Sequence, residues 1–449
     1  MKIVMSNRLY FKPSEELWEH CNKHTSYQIF EGGSKYPKMF KNNGVVGNGT
    51  CWIPTSRTDL LDSMGVKYTL IDKRAYVHAE IPKPTFILRP DQQEIYDQCN
   101  DSGIINGNPG FGKTITGLAL AYKLQQKTLV ICTNTSIRSQ WEKEIKKWFG
   151  FSPGIIGSGK FNIEPPIVVS NIQTLNKHSN DLSSVFGMII VDEMHHCVAT
   201  TFTNFLSFSK ARYKLGLSGT LKRKDGLQVM FKDFFGFDIY VPPKNNVVDP
   251  TIHSYKIDVE LSGNMNVPWA DRANDVYSHP IYKQTMFDLC RLYAEMGHSV
   301  LFVSDRTNII VELTDALNDY GIEAEHITGN MKDLSERDEV MERVAEGHTR
   351  VVCAAQSIFS EGVSLNELSC LILGSIVNNE SLLEQLAGRI QRIVEGKLDP
   401  VFVDISLKGG TAFNQAASRK AVYMNNGWEF IHMTPEKLDR LIKTLFANS

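Results

Sequence analysis

From about residue 89 onward, short apolar runs alternate with longer stretches in which apolar residues recur at helical spacing. Short apolar runs bounded by turn-forming residues are typical of buried strands, and strands that alternate with helices are typical of a parallel sheet. In the first half of the chain this pattern predicts a doubly wound α/β layer. Its strands are predicted over 128–132, 166–170, 187–191 and 213–218, and its helices over 114–125 and 136–148.

The same alternation returns in the last third of the chain and predicts a second α/β layer. A Pro- and Asn-rich stretch around 241–250 and a polar segment through 263–280 separate the two layers and are typical of a linker. We therefore predict a small accessory domain over 1–85, the first layer over 86–240, a connecting segment over 241–280 and the second layer over 281–449. The second set of strands is predicted over 299–303, 349–354, 370–373 and 400–404.

Charge sets the first 85 residues apart from the rest. They carry 12 Lys and Arg against 8 Asp and Glu, a formal +4 in a chain whose net charge is −2. Two interpretations stay open: a surface that grips a nucleic-acid backbone and stacks on bases, or a small domain whose aromatic residues form its core. The aromatic residues in question are Tyr10, Phe11, Tyr27, Tyr36, Phe40, Trp52, Tyr68 and Tyr76.

Composition is that of an ordinary globular protein, with 42% hydrophobic and 22% charged residues. The eight cysteines are scattered without a C-x-x-C pair, which argues against a zinc site or a disulfide framework. No apolar run approaches the roughly 20 residues of a membrane span. We expect a cytoplasmic protein with no membrane partner, in the host cytoplasm if a phage encodes it.

Two motifs indicate binding and hydrolysis of a nucleoside triphosphate. Residues 107–114 fit the phosphate-loop pattern G-x-x-x-x-G-K-[ST], and Asp192-Glu193-Met194-His195 begins 78 residues after its last position. Thr114 and Asp192 are the candidate Mg²⁺ ligands, and Glu193 is the candidate activator of the attacking water. The candidate phosphate contacts are Gly107, Asn108, Pro109, Gly110, Phe111, Gly112 and Lys113.

Further motifs follow in a fixed order, and their set resembles that of the superfamily 2 DExH helicases. Residues 85–92 are similar to the adenine-contacting motif of that family, and 133–141 and 170–175 to its first nucleic-acid motifs. In the second layer, 303–306 resemble motif IV, 354–362 motif V and 385–392 motif VI. The detail of 133–141 and 359–364 is most similar to phage-encoded, UvsW-like helicases that remodel branched DNA.

This resemblance implies two tandem RecA-like domains, ATP and Mg as cofactors, and a set of site residues. The implied catalytic residues are Lys113, Glu193, Gln385, Arg389 and Arg392. The nucleotide contacts beyond the phosphate loop are Arg89, Gln92, Glu361 and Gly362. The coupling residues are His195, Ser218, Gly219 and Thr220. The nucleic-acid contacts are Thr133, Asn134, Gln140, Ser170, Gln173, Thr174, Ser304, Arg306, Thr328, Gly329 and Ala355.

We therefore expect a monomeric ATP-dependent DNA helicase that acts on forked or branched DNA, with single-stranded DNA as a further partner. The alternatives are a duplex translocase that does not separate strands, an RNA-directed helicase with the same motor, and a nucleotide-switched DNA-binding scaffold. Trp141, Trp148 and Trp269 are interpreted as packing residues, because tryptophan more often fills a core than forms a platform for bases.

Overall fold

A computed structural model describes residues 1–29, 38–108, 110–196, 200–219, 221, 227–243, 247–329, 334–356, 365–377, 379–434 and 436–438. The chain forms two compact units, Met1–Pro243 and Lys244–Ser449. Within the described ranges, no helix combines the length and the apolar character needed to cross a lipid bilayer. Each unit is built around one parallel sheet, which confirms the predicted fold class.

The first 72 residues form a small mixed sheet with a two-stranded ribbon beside it. The sheet has the order β5-β6-β2-β1-β7, and β3 pairs with β4. These strands are β1 (Lys2–Met5), β2 (Leu9–Phe11), β3 (Ser26–Ile29), β4 (Lys38–Lys41), β5 (Gly44–Val45), β6 (Cys51–Ile53) and β7 (Thr69–Asp72). The helices are α1 (Glu15–His24) and α2 (Asp59–Asp62). Ser14 caps α1 by accepting a hydrogen bond from the Leu17 amide at 3.3 Å.

The first large sheet has the order β11-β10-β12-β9-β13-β14-β8-β15. All its neighbouring strands are parallel except β10 and β11. Its central strands are the predicted apolar runs, and their side chains are buried on both faces. The strands are β8 (Gly103–Asn106), β9 (Thr128–Cys132), β10 (Gly154–Gly157), β11 (Lys160–Phe161), β12 (Ile167–Asn171), β13 (Met188–Val191), β14 (Tyr213–Ser218) and β15 (Ile239–Tyr240).

Helices cover this sheet, and both predicted helices are present within one residue at each end. The Asn134 side chain caps one of them by accepting from the Ile137 amide at 2.9 Å, and Ile137, Trp141 and Ile145 bury its inner face. The helices are α3 (Pro90–Gln98), α4 (Lys113–Leu124), α5 (Thr135–Phe149), α6 (Ile172–Leu175), α7 (Thr200–Phe208) and α8 (Phe231–Phe235). Three-residue or four-residue 3₁₀ turns span Asn176–His178, Met194–His196 and Leu227–Met230.

A buried ionic cluster joins the N-terminal region to α8. Asp233 is 1% exposed, and its carboxylate accepts hydrogen bonds from Tyr27 at 2.8 Å, Asn42 at 2.9 Å and Arg57 at 3.1 Å. Arg57 is also 1% exposed and pairs with Asp59 at 2.9 Å. Burial raises the pKa of Asp233, so the three donors are needed to keep the carboxylate charged. The N-terminal region and the first sheet therefore pack as one unit.

The second large sheet is parallel throughout, in the order β18-β19-β17-β20-β21-β16-β22. Its strands are β16 (Thr251–Glu260), β17 (Val300–Ser304), β18 (Ala324–Ile327), β19 (Val351–Ala355), β20 (Cys370–Leu373), β21 (Val401–Lys408) and β22 (Phe430–His432). The helices are α9 (Trp269–Ser278), α10 (Pro280–Glu295), α11 (Thr307–Tyr320), α12 (Leu334–Ala345), α13 (Glu380–Ile390) and α14 (Gly410–Asn425).

The predicted connecting segment over 241–280 differs from the structure. Its middle is strand β16, which pairs with β21 and β22 in the second sheet, and its end is helix α9. The sequence pattern hid this strand because it buries polar side chains, including His253 and Ser254. The Nδ1 atom of His253 lies 2.6 Å from the Tyr293 hydroxyl, and this hydrogen bond makes burial of the imidazole tolerable.

Replacing Asp233 with alanine would leave the buried Arg57 guanidinium without its long-range partner. We expect the free energy of unfolding of the first unit to fall by about 3 to 5 kcal/mol, because a buried charge without its partner is strongly destabilising. Urea unfolding followed by tryptophan fluorescence measures this change. The matched control is Asp238→Ala, which removes an exposed carboxylate nearby in sequence and is expected to have little effect. Equal stability of the two variants would contradict the anchoring role of Asp233.

Candidate active site

The candidate residues of the first unit lie at the carboxyl edge of its parallel sheet. Strands β12, β9, β13, β14 and β8 are consecutive neighbours in this sheet and run in the same direction. The phosphate loop follows β8, Ser218 ends β14, and the Asp192-Glu193 pair follows β13. The two nucleic-acid motifs follow β9 and β12. Nucleotide motifs and nucleic-acid motifs therefore occupy adjacent stretches of one edge, where ligands of α/β sheets bind.

The phosphate loop connects β8 to the N-terminus of α4. Gly110 and Gly112 adopt left-handed backbone conformations with φ of 85° and 86°, and α4 begins at Lys113. The Nζ atom of Lys113 donates to the Gly107 carbonyl oxygen at 3.0 Å, and the Gly107 amide donates to the Ser218 carbonyl at 3.0 Å. Pro109 lies outside the described residues. The loop thus places a helix N-terminus and a lysine ammonium where phosphate oxygens can bind.

Gln92 and Arg89, at the start of α3, form hydrogen bonds with the phosphate loop. The Gln92 amide nitrogen donates to the Phe111 carbonyl at 2.9 Å, and its amide oxygen accepts from the Arg89 amide at 3.0 Å. The Arg89 guanidinium donates to the same Phe111 carbonyl at 2.5 Å and pairs with Asp91. A Cβ atom at Gly112 would lie 2.4 Å from the Gln92 amide nitrogen, so only glycine fits there. Among the described residues, the Gln92 amide forms two hydrogen bonds, and an amide group can form up to four.

The Asp192 carboxylate is buried beside the phosphate loop. The Trp141 indole N–H donates to its Oδ2 at 2.8 Å, and the Glu193 amide donates to its Oδ1 at 3.0 Å. Burial raises the pKa of Asp192 to about 6, and the charge of Glu193 adds to this increase. A carboxylate held in this way is stabilised by a cation. Thr114 and Asp192 offer the oxygen ligands that Mg²⁺ prefers, so the residues present fit the metal.

Glu193 has a strained backbone and is linked to the next strand by a histidine. Its φ is 49°, a left-handed conformation that is unusual for a residue other than glycine. Its Oε2 lies 3.2 Å from the Nδ1 of His195, and the same Nδ1 lies 3.0 Å from the Ser218 hydroxyl. His195 therefore connects the candidate water activator to the end of β14. Gly219 follows Ser218 directly, and Thr220 lies outside the described residues.

The nucleic-acid motifs after β9 and β12 contact one another. The Gln173 amide donates to the Thr133 carbonyl at 3.3 Å. Arg138 on α5 donates to the Asn171 side chain at 2.9 Å and to the Ser158 hydroxyl at 3.1 Å. The structure thus brings Thr133 and Gln173 together, with Asn134 at the start of α5 and Thr174 on α6, while Gln140 lies further along α5.

Three predicted nucleic-acid contacts need correction. Ser170 and Ser304 are 0% exposed and Thr328 is 3% exposed, so their side chains do not reach the surface. The Ser170 hydroxyl donates to the Ile156 carbonyl at 2.8 Å, and the Ser304 hydroxyl accepts from the Arg306 amide at 3.2 Å. Small hydroxyl residues at strand ends were assigned to the nucleic acid, but Ser170 and Ser304 instead bind nearby backbone groups of their own unit.

Among the other candidates of the second unit, Ala355, Arg306 and Gly329 lie at the carboxyl edge of its sheet, whereas Arg392 lies beside Asn366, which precedes β20. Ala355 ends β19, and Arg306 follows β17 and pairs with Asp305 at 3.0 Å. Gly329, which follows β18, is exposed. Gln385 and Arg389 lie on α13, and Arg392 just beyond it donates to the Asn366 side chain. Glu361 and Gly362 lie outside the described residues.

Two residues contribute to the site that the sequence motifs did not identify. Trp141 was predicted to pack, and it is 1% exposed, but its indole N–H also orients Asp192. Arg138 was not singled out at all, although it joins the motif on α5 to Asn171. The available signal was their position in the helix that follows β9, where Trp141 and Arg138 lie three residues apart and therefore on one face.

The chain matches known helicase families over both sheets. Residues 85–223 match the family described as the type III restriction enzyme res subunit, and residues 284–394 match the helicase conserved C-terminal domain. The chain is 64% identical to a protein of Escherichia phage T5 named "Probable helicase D10", over 100% of both chains.

More distant similarities extend over most of the chain. A "DNA 3'-5' translocase XPB2" of Sulfurisphaera tokodaii is 24% identical over 71% of this chain and 80% of its own length. The solved structure of Saccharomyces cerevisiae Dbp5 bound to RNA and ADP BeF3 is 12% identical, covers 80% of this chain and 97% of its own, and gives a TM-score of 0.56. At that identity the structural similarity supports the fold alone.

Replacing Glu193 with glutamine keeps the shape of the side chain but removes its basic oxygen. We expect ATP affinity to change little and the turnover number to fall by about 100-fold or more, the usual contribution of a positioned general base. Fluorescent-nucleotide binding and a phosphate-release assay measure the two quantities. The exposed Glu164→Gln variant is the control and is expected to hydrolyse ATP normally. Hydrolysis by Glu193→Gln at the unaltered rate would remove Glu193 as the water activator.

Replacing Gln92 with alanine separates two roles of its amide. Loss of the hydrogen bond from Gln92 to the Phe111 carbonyl should raise the KM for any nucleotide by about 3- to 10-fold, the effect of one net hydrogen bond. If the Gln92 amide also contacts adenine, the KM for ATP rises more than that for GTP. Steady-state hydrolysis of both nucleotides tests this expectation, with the exposed neighbour Gln93→Ala as the control. An unchanged preference between ATP and GTP would contradict adenine recognition by Gln92.

Proposed function

This chain belongs to the superfamily 2 helicases and is an ATP-dependent helicase, and we propose that its substrate is DNA, in particular forked or branched DNA. One observation carries the proposal. The indole N–H of Trp141, which lies on α5 within the first nucleic-acid motif, donates to the Asp192 carboxylate at 2.8 Å. A change at the nucleotide can therefore reach that motif through one hydrogen bond.

In the proposed mechanism the residues of the first unit bind and orient ATP. The backbone amides of the phosphate loop and the Lys113 ammonium hold the phosphates, and the Glu193 carboxylate accepts a proton from the attacking water. Mg²⁺, when held by Thr114 and Asp192, would neutralise charge on the outer phosphates. Trp141 and the Glu193 amide, which donate to the two oxygens of Asp192, hold its carboxylate in one orientation.

The proposed contribution of the second unit is cationic. Gln385 and Arg389 on α13 and Arg392 beyond it are the candidates for contacting the γ-phosphate, where a cation stabilises charge in the transition state. Burial lowers the pKa of Arg392, yet a guanidinium retains its charge at neutral pH. Hydrolysis then depends on the approach of the second unit. Loss of the γ-phosphate removes the attraction and releases the second unit. Alternation between these states changes the hold on the nucleic acid and moves the motor.

The names of the relatives divide between DNA and RNA. The relative from Sulfurisphaera tokodaii is named a DNA translocase, whereas a protein of Acanthamoeba polyphaga mimivirus, 27% identical over 85% of this chain, is named "Putative ATP-dependent RNA helicase L396". The N-terminal region places several lysines in solvent, including Lys2, Lys12 and Lys41, and these are available for phosphate groups. The aromatic residues of this region do not all support one interpretation. Phe11 is buried and Tyr27 donates to Asp233, as residues of a core do, whereas Tyr76 is 65% exposed, as a base-stacking residue would be.

A substrate panel tests the proposal. Plain forks, four-way junctions, linear duplex, single-stranded DNA and single-stranded RNA are compared for stimulation of ATP hydrolysis at one salt concentration, because binding to polyanions depends steeply on salt. We expect the strongest stimulation, and ATP-dependent rearrangement, with forks or junctions. Strongest stimulation by linear duplex without strand separation would favour a translocase instead, and strongest stimulation by RNA would favour an RNA-directed helicase.

The role of the N-terminal region is tested in the same assay by substitution. Deletion of residues 1–85 would remove Arg57, Tyr27 and Asn42 from the buried Asp233 and would destabilise the first unit, so lysine neutralisation is the sharper change. A variant with Lys2, Lys12 and Lys41 changed to Gln should bind forks more weakly and with a shallower salt dependence. The matched control carries Gln at three exposed lysines of the second unit: Lys256, Lys420 and Lys437. Equal fork binding by both variants would contradict the role of the N-terminal region.

A further inference from the structure

A polar cavity at the carboxyl edge of the second sheet is not explained by the ATP site. Its volume is about 310 Å³, near the lower end of the range for small-ligand sites, roughly 300–1,000 Å³. Gln356 directly follows β19, and Ile376 lies shortly after β20. Gln415 on α14 and Trp269 on α9 complete the opposite parts of the lining. The cavity therefore opens at the sheet edge that also carries Ala355 and Arg306.

Trp269 gives this cavity an aromatic wall. The tryptophan is 38% exposed although it is a large apolar residue at the start of α9, so much of its ring faces solvent or the cavity. The guanidinium carbon of Arg272 lies 5.4 Å from the centre of the ring, which places a positive charge against the aromatic system. Arg272 is itself 5% exposed and donates to the Ser262 carbonyl at 3.1 Å, so the contact with the ring is held in place.

The cavity also presents amide oxygens that no group of the described residues binds. The side-chain oxygens of Gln356 and Gln415 are buried, and neither has a hydrogen-bond partner within the described part of the chain. Buried amide oxygens are almost always hydrogen-bonded in folded proteins, so two of them in one cavity indicate a ligand that brings donors. Asn379 adds a third amide to the lining, and Leu382 contributes an apolar surface.

We propose that this cavity receives an unstacked nucleobase of the bound nucleic-acid strand, with its face on Trp269 and its edge on the amides of Gln356 and Gln415. A base is a flat ring with N–H donors and acceptors on its rim, which matches an aromatic wall beside amide groups. A phosphate does not match, because the lining residues that the structure describes include no cationic side chain and present two acceptor oxygens without a partner among those residues. This inference rests on the proposed function, since it assigns a further contact to the same strand.

The location supports a base of the strand as the occupant. Arg306, a predicted contact for the strand backbone, donates through its guanidinium to the Asn274 side chain at 2.9 Å. Asn274 lies on α9, the helix that begins at Trp269. One short helix therefore connects the backbone-contacting region after β17 to the aromatic wall. A strand that follows the sheet edge past β17 and β19 can turn one base into the cavity while its phosphates stay outside.

The test compares a single-stranded DNA oligonucleotide with an oligonucleotide of equal length in which every residue is abasic. Binding of the full-length protein is measured by fluorescence anisotropy. The change Trp269→Ala should weaken binding of the normal oligonucleotide by about 5- to 100-fold, the effect of losing one base–aromatic stack, and should leave binding of the abasic one nearly unchanged. Met424→Ala, which removes a 57% exposed apolar side chain of α14 outside the cavity, is the matched control.

A second variant distinguishes loss of the aromatic contact from loss of folding. Trp269→Phe keeps an aromatic face and should retain most of the affinity. Tryptophan emission of the wild-type protein should be quenched by the normal oligonucleotide, and the Trp269→Phe variant should lose that part of the quenching. Equal weakening of both oligonucleotides by Trp269→Ala, or identical quenching in the Trp269→Phe variant, would overturn the inference.

Two further outcomes identify where a failure lies. A wild-type protein that binds neither oligonucleotide would overturn the proposed function together with the cavity assignment. A wild-type protein that binds the normal and abasic oligonucleotides equally would overturn the cavity assignment alone. A weaker affinity of Trp269→Ala for ATP, measured without nucleic acid, would place the adenine of ATP in the cavity and would also overturn the assignment to the strand.

Discussion

The parallel pairing of β12, β9, β13, β14 and β8 is the constraint on which the first unit depends. Because these strands run in one direction, five separate loops emerge at a single edge, and residues distant in sequence become neighbours there. The Gly107 amide bonds to the Ser218 carbonyl, and Trp141 bonds to Asp192, only because of this arrangement. The second sheet is also parallel, and Ala355, Arg306 and Gly329 lie at its carboxyl edge.

The sequence predicted those features that have a local cause. Central strands consist of apolar runs such as Thr128–Cys132, and α5 ends at a glycine and begins after a capping asparagine, so both could be recognised without the fold. The phosphate loop and the Asp192-Glu193 pair were recognisable for the same reason. Strand β16 was missed because it buries the polar residues His253 and Ser254, and burial of the His253 imidazole depends on a hydrogen bond with Tyr293, forty residues away. Long-range compensation of this kind leaves no local pattern.

Side-chain roles were less predictable than positions. Ser170 and Ser304 lie at the strand ends that the motifs predict, but both are fully buried and their hydroxyls form hydrogen bonds with backbone groups. Trp141 shows the converse, because a residue predicted only to pack also holds a candidate metal ligand. The N-terminal region gave an ambiguous signal for a similar reason. Arg57 contributes to its basic charge in the sequence, yet in the structure that charge is buried against Asp233.

The backbone of Glu193 has a consequence for how this site can change over time. Its left-handed conformation suits glycine or asparagine better than glutamate, so the fold itself tends to be relieved by losing this carboxylate. A glycine at position 193 would relieve this backbone conformation while removing the candidate water activator, so stability and the proposed activity make opposite demands on this residue.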